Sequence, residues 1–142
     1  ECVRLDVLLL KLVCKNIILW DSIFPSEEWL DKQIPSIILD GIKSSSSSSS
    51  NTSSNSFSFE QYHTIIHYYI HILAGCCLSL GLRYAGTFSF DAMNLIKKQI
   101  DILLSFKSKK LKTGESINKQ QLETCISIAT LSLSIVMAGS GN

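Results

Sequence analysis

The chain has 142 residues, with 13 basic against 12 acidic side chains and a formal charge of +1. Hydrophobic residues make up 46% and charged residues only 18%, below the ~25% charged content of an ordinary soluble domain. So even a charge balance argues against a protein that holds nucleic acid by general electrostatics. The length suits one domain or a slice of a larger one. The chain opens on Glu1 and closes on the turn-like Gly139-Ser140-Gly141-Asn142, so both ends read as internal to a longer polypeptide. The opening residues carry Arg4 and Asp6 and no small-residue cleavage site, and do not read as a secretory signal.

In chain order, the first element is a helix. Val3, Leu5, Val7, Leu8, Leu9, Leu12, Val13, Ile17 and Ile18 recur at helical spacing, with Asp6, Lys11, Lys15 and Asn16 between them. That pattern gives a wide apolar face. The helix is expected to end near Trp20–Phe24, because Pro25 biases Phe24 away from the α region. Ser26 then suits an N-cap, with Glu27 and Glu28 at the positive end of a short helix and Trp29 and Leu30 facing inward. Pro35 interrupts again, and Ile37, Ile38 and Leu39 form a further short apolar piece.

Every residue from 44 to 56 is Ser, Thr or Asn. Such a tract has nothing apolar to bury, so ordering it would cost backbone entropy without return. It is expected to be a disordered surface loop. Three long helices are expected after it. The first covers 60–82. The second covers 89–106, with Ser89 as N-cap, Ala92, Leu95, Ile96, Ile100, Leu103 and Leu104 apolar, and Lys97, Lys98 and Asp101 outward. The third covers 117–138, polar at first and apolar later. Period-2 alternation is scarce, so the chain reads as all-α. The expected division is a helical segment at 1–43, the loop at 44–56 and helical repeats at 57–142.

Residues 78–89 align without gaps on 131–142, 53 residues on, with Leu78, Ser79, Leu80, Ala85 and Gly86 matched identically. One unit is therefore a helix, an Ala-Gly turn, a second helix and a variable loop. Such pairs stack because one pair cannot bury its apolar face alone. Gly86 and Gly139 fall where a helix ends and a left-handed residue is needed. Ser89 and Asn142 fall where the next helix would begin. Ala74, Gly75, Ser79 and Gly81 form a small-residue strip that lets neighbouring helices approach closely. A helical glycine costs roughly 1 kcal/mol against alanine, so Gly75 and Gly81 point to a packing demand.

Other groups of residues bear on chemistry. His63, His67 and His71 are spaced i, i+4, i+8. Two histidines one turn apart can ligate a metal, but no further ligand has suitable spacing except Glu60. The stripe is expected to be partly exposed or to line a groove, without a metal. Cys2, Cys14, Cys76, Cys77 and Cys125 make an odd number with no CxxC pair, so they are expected to be free thiols in a reducing compartment. The stretch 64–82 carries no Asp, Glu, Lys or Arg and is near the length of a membrane span; a helix buried within a solenoid explains the same pattern. Lys107, Lys109, Lys110 and Lys112 form a basic run expected to be a solvated loop. No GxSxG, HExxH or phosphate loop occurs, so no catalytic residue and no cofactor site are expected.

The run Ala74-Gly75-Cys76-Cys77-Leu78-Ser79-Leu80-Gly81-Leu82-Arg83-Tyr84-Ala85-Gly86-Thr87 resembles the proteasome/cyclosome repeat, which starts on Ala-Gly, continues through an apolar run with Leu-Gly and ends on Gly-Thr or Gly-Ser. Ile18-Leu19-Trp20-Asp21, 29–35 and 122–142 further resemble the large scaffold subunit of the anaphase-promoting complex. The resemblance covers nearly the whole chain except 44–56 and 107–116. It implies helical-hairpin repeats of an α-solenoid closing into a toroid. It also implies a non-catalytic scaffold in a multisubunit ubiquitin ligase of the cell cycle, with catalysis in other subunits. Partners would be the other subunits, with no nucleic acid, membrane or small-molecule ligand, and the location nuclear and cytoplasmic. The repeat residues it singles out are Ala74, Gly75, Gly81, Ala85, Gly86, Thr87, Ala138, Gly139 and Ser140. Two alternatives stand beside it: a proteasome base scaffold with the same repeats, and a membrane-embedded helical segment.

Overall fold

The structure is a computed structural model that describes residues 4–46, 59–108 and 117–139. Among these it is all-α: α1 (Leu5–Ile18), a 3-10 turn (Trp20–Ser22), α2 (Glu27–Gln33), α3 (Ser36–Ser46), α4 (Phe59–Arg83), α5 (Phe90–Ser108) and α6 (Lys119–Val136). Local chemistry sets the starts and stops. The Ser26 hydroxyl accepts from the Trp29 amide at 3.2 Å, capping α2. Pro35 begins the next segment, and its carbonyl takes the amides of Ile38 and Leu39. The Ser89 hydroxyl accepts from the Ala92 amide at 3.4 Å. Asn118 caps α6 by accepting from Gln120 and Gln121 at 3.1 and 3.3 Å. α3 continues to Ser46, so its last three residues are the first three of the serine tract; positions 47–56 lie outside the described residues.

α4 is the centre of the molecule. α1 packs on one side of it and α6 on the other, while α5 covers α4 and α6. α1, α4 and α6 run parallel. Asn16 meets Ser79, and Gly81 meets Ser132, with chain direction the same in each pair. α5 returns antiparallel, so that Tyr69 near the start of α4 meets Phe106 near the end of α5 edge-on at 6.1 Å. Ile66, Ile70, Leu73, Ala74, Cys76, Cys77 and Leu80 of α4 are buried with Ala92, Ile96 and Leu103 of α5 and Leu122, Cys125, Ala129 and Val136 of α6. Each fully buried Ile or Leu contributes roughly 1.5–3 kcal/mol relative to exposure. A helix that is apolar nearly all round is the expected occupant of such a centre.

The strip of small residues divides between two neighbours. A Cβ on Gly75 would stand 3.0 Å from Leu12 Cδ2 and 3.5 Å from the Leu9 carbonyl oxygen, both on α1. A Cβ on Gly81 would stand 2.9 Å from Ser132 Cα and 3.0 Å from its carbonyl oxygen, on α6. Glycine at 75 thus admits a side chain, and glycine at 81 admits a backbone.

α1 differs from its expected orientation. Leu9, Val13 and Asn16 are its buried residues, while Val7, Ile17 and Ile18 are exposed. The apolar pattern is so wide that it does not fix the facing side; the polar pair Asn16–Ser79 does. Asn16 Nδ2 donates to the Ser79 hydroxyl at 3.0 Å, and that hydroxyl donates to the Gly75 carbonyl at 2.9 Å. On α6 the hydroxyls of Thr124, Ser127, Thr130, Ser132 and Ser134 each donate to the carbonyl four residues back, at 2.7–3.0 Å; all but Ser132 are exposed.

Gly81→Ala is expected to destabilise the protein by ~1–3 kcal/mol, because the added methyl meets backbone and overpacks the contact. Gly75→Ala is expected to be close to neutral. There the methyl meets the end of a Leu side chain, and the gain in helix propensity of roughly 1 kcal/mol opposes the crowding. Denaturant midpoints of the two variants, compared at equal slope, check the order.

Candidate interaction surface at the stacked repeat turns

The ends of α1, α4 and α6 lie at one edge of the molecule. After α4, Ala85, Gly86 and Thr87 form an exposed turn. Gly86 has φ +67°, the left-handed conformation that favours glycine. This conformation turns its amide away from α4, and it donates instead to the Ile135 carbonyl of α6 at 3.0 Å. Two residues on, the Phe88 amide donates to the Val136 carbonyl at 3.3 Å. The first repeat's turn is therefore bonded to the helix end of the second: Gly86 joins Ala138 in donating to the Ile135 carbonyl, and Phe88 donates to the Val136 carbonyl. Within the turn, the Thr87 hydroxyl donates to the Tyr84 carbonyl at 2.8 Å. Gly139 repeats the left-handed conformation at φ +80° after α6, next to Ala138; Ser140 lies outside the described residues.

The edge continues on the α1 side by different chemistry. The Tyr84 hydroxyl donates to the Ile23 carbonyl at 3.3 Å. The Arg83 guanidinium sits 5.3 Å from the Trp20 ring centroid and 3.8 Å from an Asp21 carboxylate oxygen. An exposed ion pair of this kind contributes little, but the stacked guanidinium covers an aromatic face. Trp20-Asp21 thus occupies, against the end of α4, the place that Ala85-Gly86 occupies against the end of α6. Periodicity did not show this, because the two turns share no residue types. Phe88 was also missed: it has φ +56°, the one positive φ among the described non-glycine residues.

The histidine stripe is more enclosed than a partly exposed one. His67 and His71 are buried, and His63 is half-buried. His67 Nε2 lies 3.3 Å from His63 Nε2, and His71 Nδ1 lies 2.7 Å from the His67 carbonyl, to which it donates. Burial first, then the neighbouring His63 and His71, push His67 down to about 4; Gln121 of α6 opposes the shift. The His63 and His67 rings lie with centroids 4.4 Å apart, tilted by 59°. Among the described residues, no group of three or more His, Cys, Asp or Glu is placed to hold a metal ion. Burial likewise pushes the Cys77 and Cys125 thiols up to about 12, and Cys76 higher, so these thiols stay protonated and unreactive. Cys14 is exposed and free; Cys2 lies outside the described residues. Lys107 is paired with Glu123 at 3.8 Å, and the rest of the basic run is not described. Within α4, Gln61–Arg83 is long and apolar enough to cross a membrane, and 72% of its most apolar window is buried inside the fold.

Parallel helices whose connecting turns are cross-bonded at one edge define an all-α helical-repeat protein. Comparison with known sequences narrows the class: the chain belongs to the APC1 fifth domain family, whose profile matches residues 1–142. It is similar to anaphase-promoting complex subunit 1 of Homo sapiens, at 36% identity over 142 residues, covering all of this chain and 7% of that protein. The same subunit of Arabidopsis thaliana is 32% identical over 151 residues, covering all of this chain and 9% of that protein. A protein named negative regulator of mitosis, from Emericella nidulans, is 26% identical over 148 residues, covering all of this chain and 6% of that protein. The chain spans less than a tenth of the length of these relatives.

The His67 shift has a stability consequence. Its folded value, about 4, lies below the ~6.5 of an unfolded histidine. Between those values the unfolded chain binds a proton that the folded chain excludes, so stability falls as pH drops from ~6.5 to ~4 and is flat above. His67→Gln is expected to reduce that slope, checked by denaturant midpoints at neutral and acid pH. Elemental analysis of the purified protein is expected to find no stoichiometric zinc.

Proposed function

We propose that the chain is a helical-repeat segment of a non-catalytic scaffold subunit of the anaphase-promoting complex. The observation that carries this is the match of all 142 residues to the APC1 fifth domain family. The scaffold role has physical support in the architecture. Repeats joined turn to helix end give a rigid array whose contacts are to near neighbours, and such arrays hold partners on extended faces. The buried groups that could do chemistry are held inert: the thiols are protonated, and His67 is neutral and enclosed. In this reading the repeat array closes into a toroid, Ala74, Gly75, Gly81, Ala85, Gly86, Thr87, Ala138, Gly139 and Ser140 serve its packing and turns, and catalysis of ubiquitin transfer belongs to other subunits. Residues 1–43 act as a helical segment packed on the array and 57–142 as repeats, with α3 running three residues past the first of these segments. The protein works in the cell cycle, at mitosis, in nucleus and cytoplasm, and binds protein partners rather than nucleic acid, membrane or small ligands. The burial of α4 supports its place as a core helix over a membrane span.

The test is assembly. Full-length protein carrying Gly81→Glu, which forces a carboxylate into the α4–α6 contact, is expected to lose incorporation into the complex and ligase activity together. An exposed substitution such as Lys97→Ala is expected to leave both unchanged. Co-purification with tagged partner subunits, and ubiquitin transfer by the recovered complex, measure the two. Retained assembly with lost transfer would point to a direct catalytic part and count against the scaffold reading.

A further inference from the structure

The turn edge carries an exposed aromatic feature that the stacking of the repeats does not use. Phe24 and Phe90 are 60% and 68% exposed. Each immediately precedes a residue that lines one hollow of about 230 Å3, between the start of α2 and the first turns of α5. Pro25 and Leu95 give that hollow its apolar lining, and Glu27, Asp91, Asn94 and Lys98 its polar groups. Phe90 is held in place from behind. The Phe88 ring meets it edge-on at 5.9 Å and 84°. Phe88 itself is fixed in the left-handed conformation, its amide bonded to Val136. A bulky residue in that region is a backbone outlier, and strain of this kind persists where surrounding structure enforces it.

The charges select the occupant. Lys98 is already bound to Glu27 across the gap between α2 and α5. Asp91 has no ion-pair partner among the described residues. Two carboxylates therefore face one ammonium, so the side chains that line the hollow carry net negative charge.

We propose that this hollow receives a lysine or arginine side chain from another protein chain, with apolar residues beside that base resting on Phe24 and Phe90. The Asp91 carboxylate and the Asn94 side-chain oxygen would accept from the cationic head. Pro25 and Leu95 would cover its aliphatic stem. The inference rests on the scaffold reading and names the chemistry of one partner contact.

The experiment uses the full-length polypeptide assembled in its complex, with p-benzoylphenylalanine in place of Phe90 and, separately, in place of Phe24. Co-purification with the other subunits is scored first and reports the scaffold reading alone. Photolysis is expected to join one or both positions to a segment of another chain that carries Lys or Arg near the crosslinked residue. Asp91→Lys is expected to cut that product about tenfold per unit of co-purified complex, since a charge contact becomes a like-charge one. Changing the mapped base to Glu in the Asp91→Lys background is expected to restore it. A crosslink confined to the chain itself, one to an acidic or uncharged segment, or one indifferent to Asp91→Lys overturns the proposal. Co-purification with no crosslink from either position overturns it while the scaffold reading stands. Failure of the unsubstituted chain to co-purify overturns both.

Discussion

The contact of Gly81 with the backbone of Ser132 is the constraint on which the rest of the molecule depends. It brings α4 and α6 close enough that no Cβ fits between them. The remaining geometry follows from that approach. With the two helices parallel and in register, the amides that follow α4 reach the carbonyls that end α6, and the turn bonds of Gly86 and Phe88 form. A larger residue at 81 would spread the helices and separate these groups. Close packing at one point and hydrogen bonding at the edge are therefore one arrangement, in which each part fixes the register of the other.

The same central helix uses a second device on its other side. Against α1 the contact is wider. Gly75 admits Leu12 and Leu9, and the buried Asn16–Ser79 bond sets the alignment. A buried polar pair adds little net stability, yet leaving either partner alone costs ~1–3 kcal/mol. It therefore penalises every register of α1 in which the two do not meet. This matters for a helix whose apolar residues go nearly all round. Hydrophobic burial alone would accept several rotations of α1; the amide and hydroxyl accept one. α4 is thus held between a steric specification and a polar one.

Much of this was legible in the residues, and the reasons for the rest are specific. Ser26, Pro35, Ser89, Gly86 and Gly139 act through local chemistry, so their roles as caps, breaks and left-handed turns could be read one residue at a time. The helices after the serine tract were legible because their patterns are long. The face of α1 was not, because Asn16 among apolar residues looks like an outward position until its partner, 63 residues away, is known. The enclosure of His67 was hidden for the same reason: Gln121, which meets it, comes from α6. Phe88 gave no signal, since its left-handed backbone is imposed by the bond to Val136 and by nothing in its own side chain. The interaction surface is legible only in three dimensions, where Trp20-Asp21 and Ala85-Gly86 prove to hold like places with unlike chemistry.

The exposed face of α6 is polar by composition, yet its hydroxyls have turned inward to the helix's own carbonyls. Such a hydroxyl has its one donor satisfied and offers water only its acceptor lone pairs. Covering it strands no donor, so the usual desolvation penalty for hiding a serine or threonine is largely absent. The surface can therefore be wetted or roofed over with little difference in hydrogen bonding, and its small side chains leave room for a close neighbour. A face of this kind is amphibious: it stays soluble while bare and is not frustrated when enclosed.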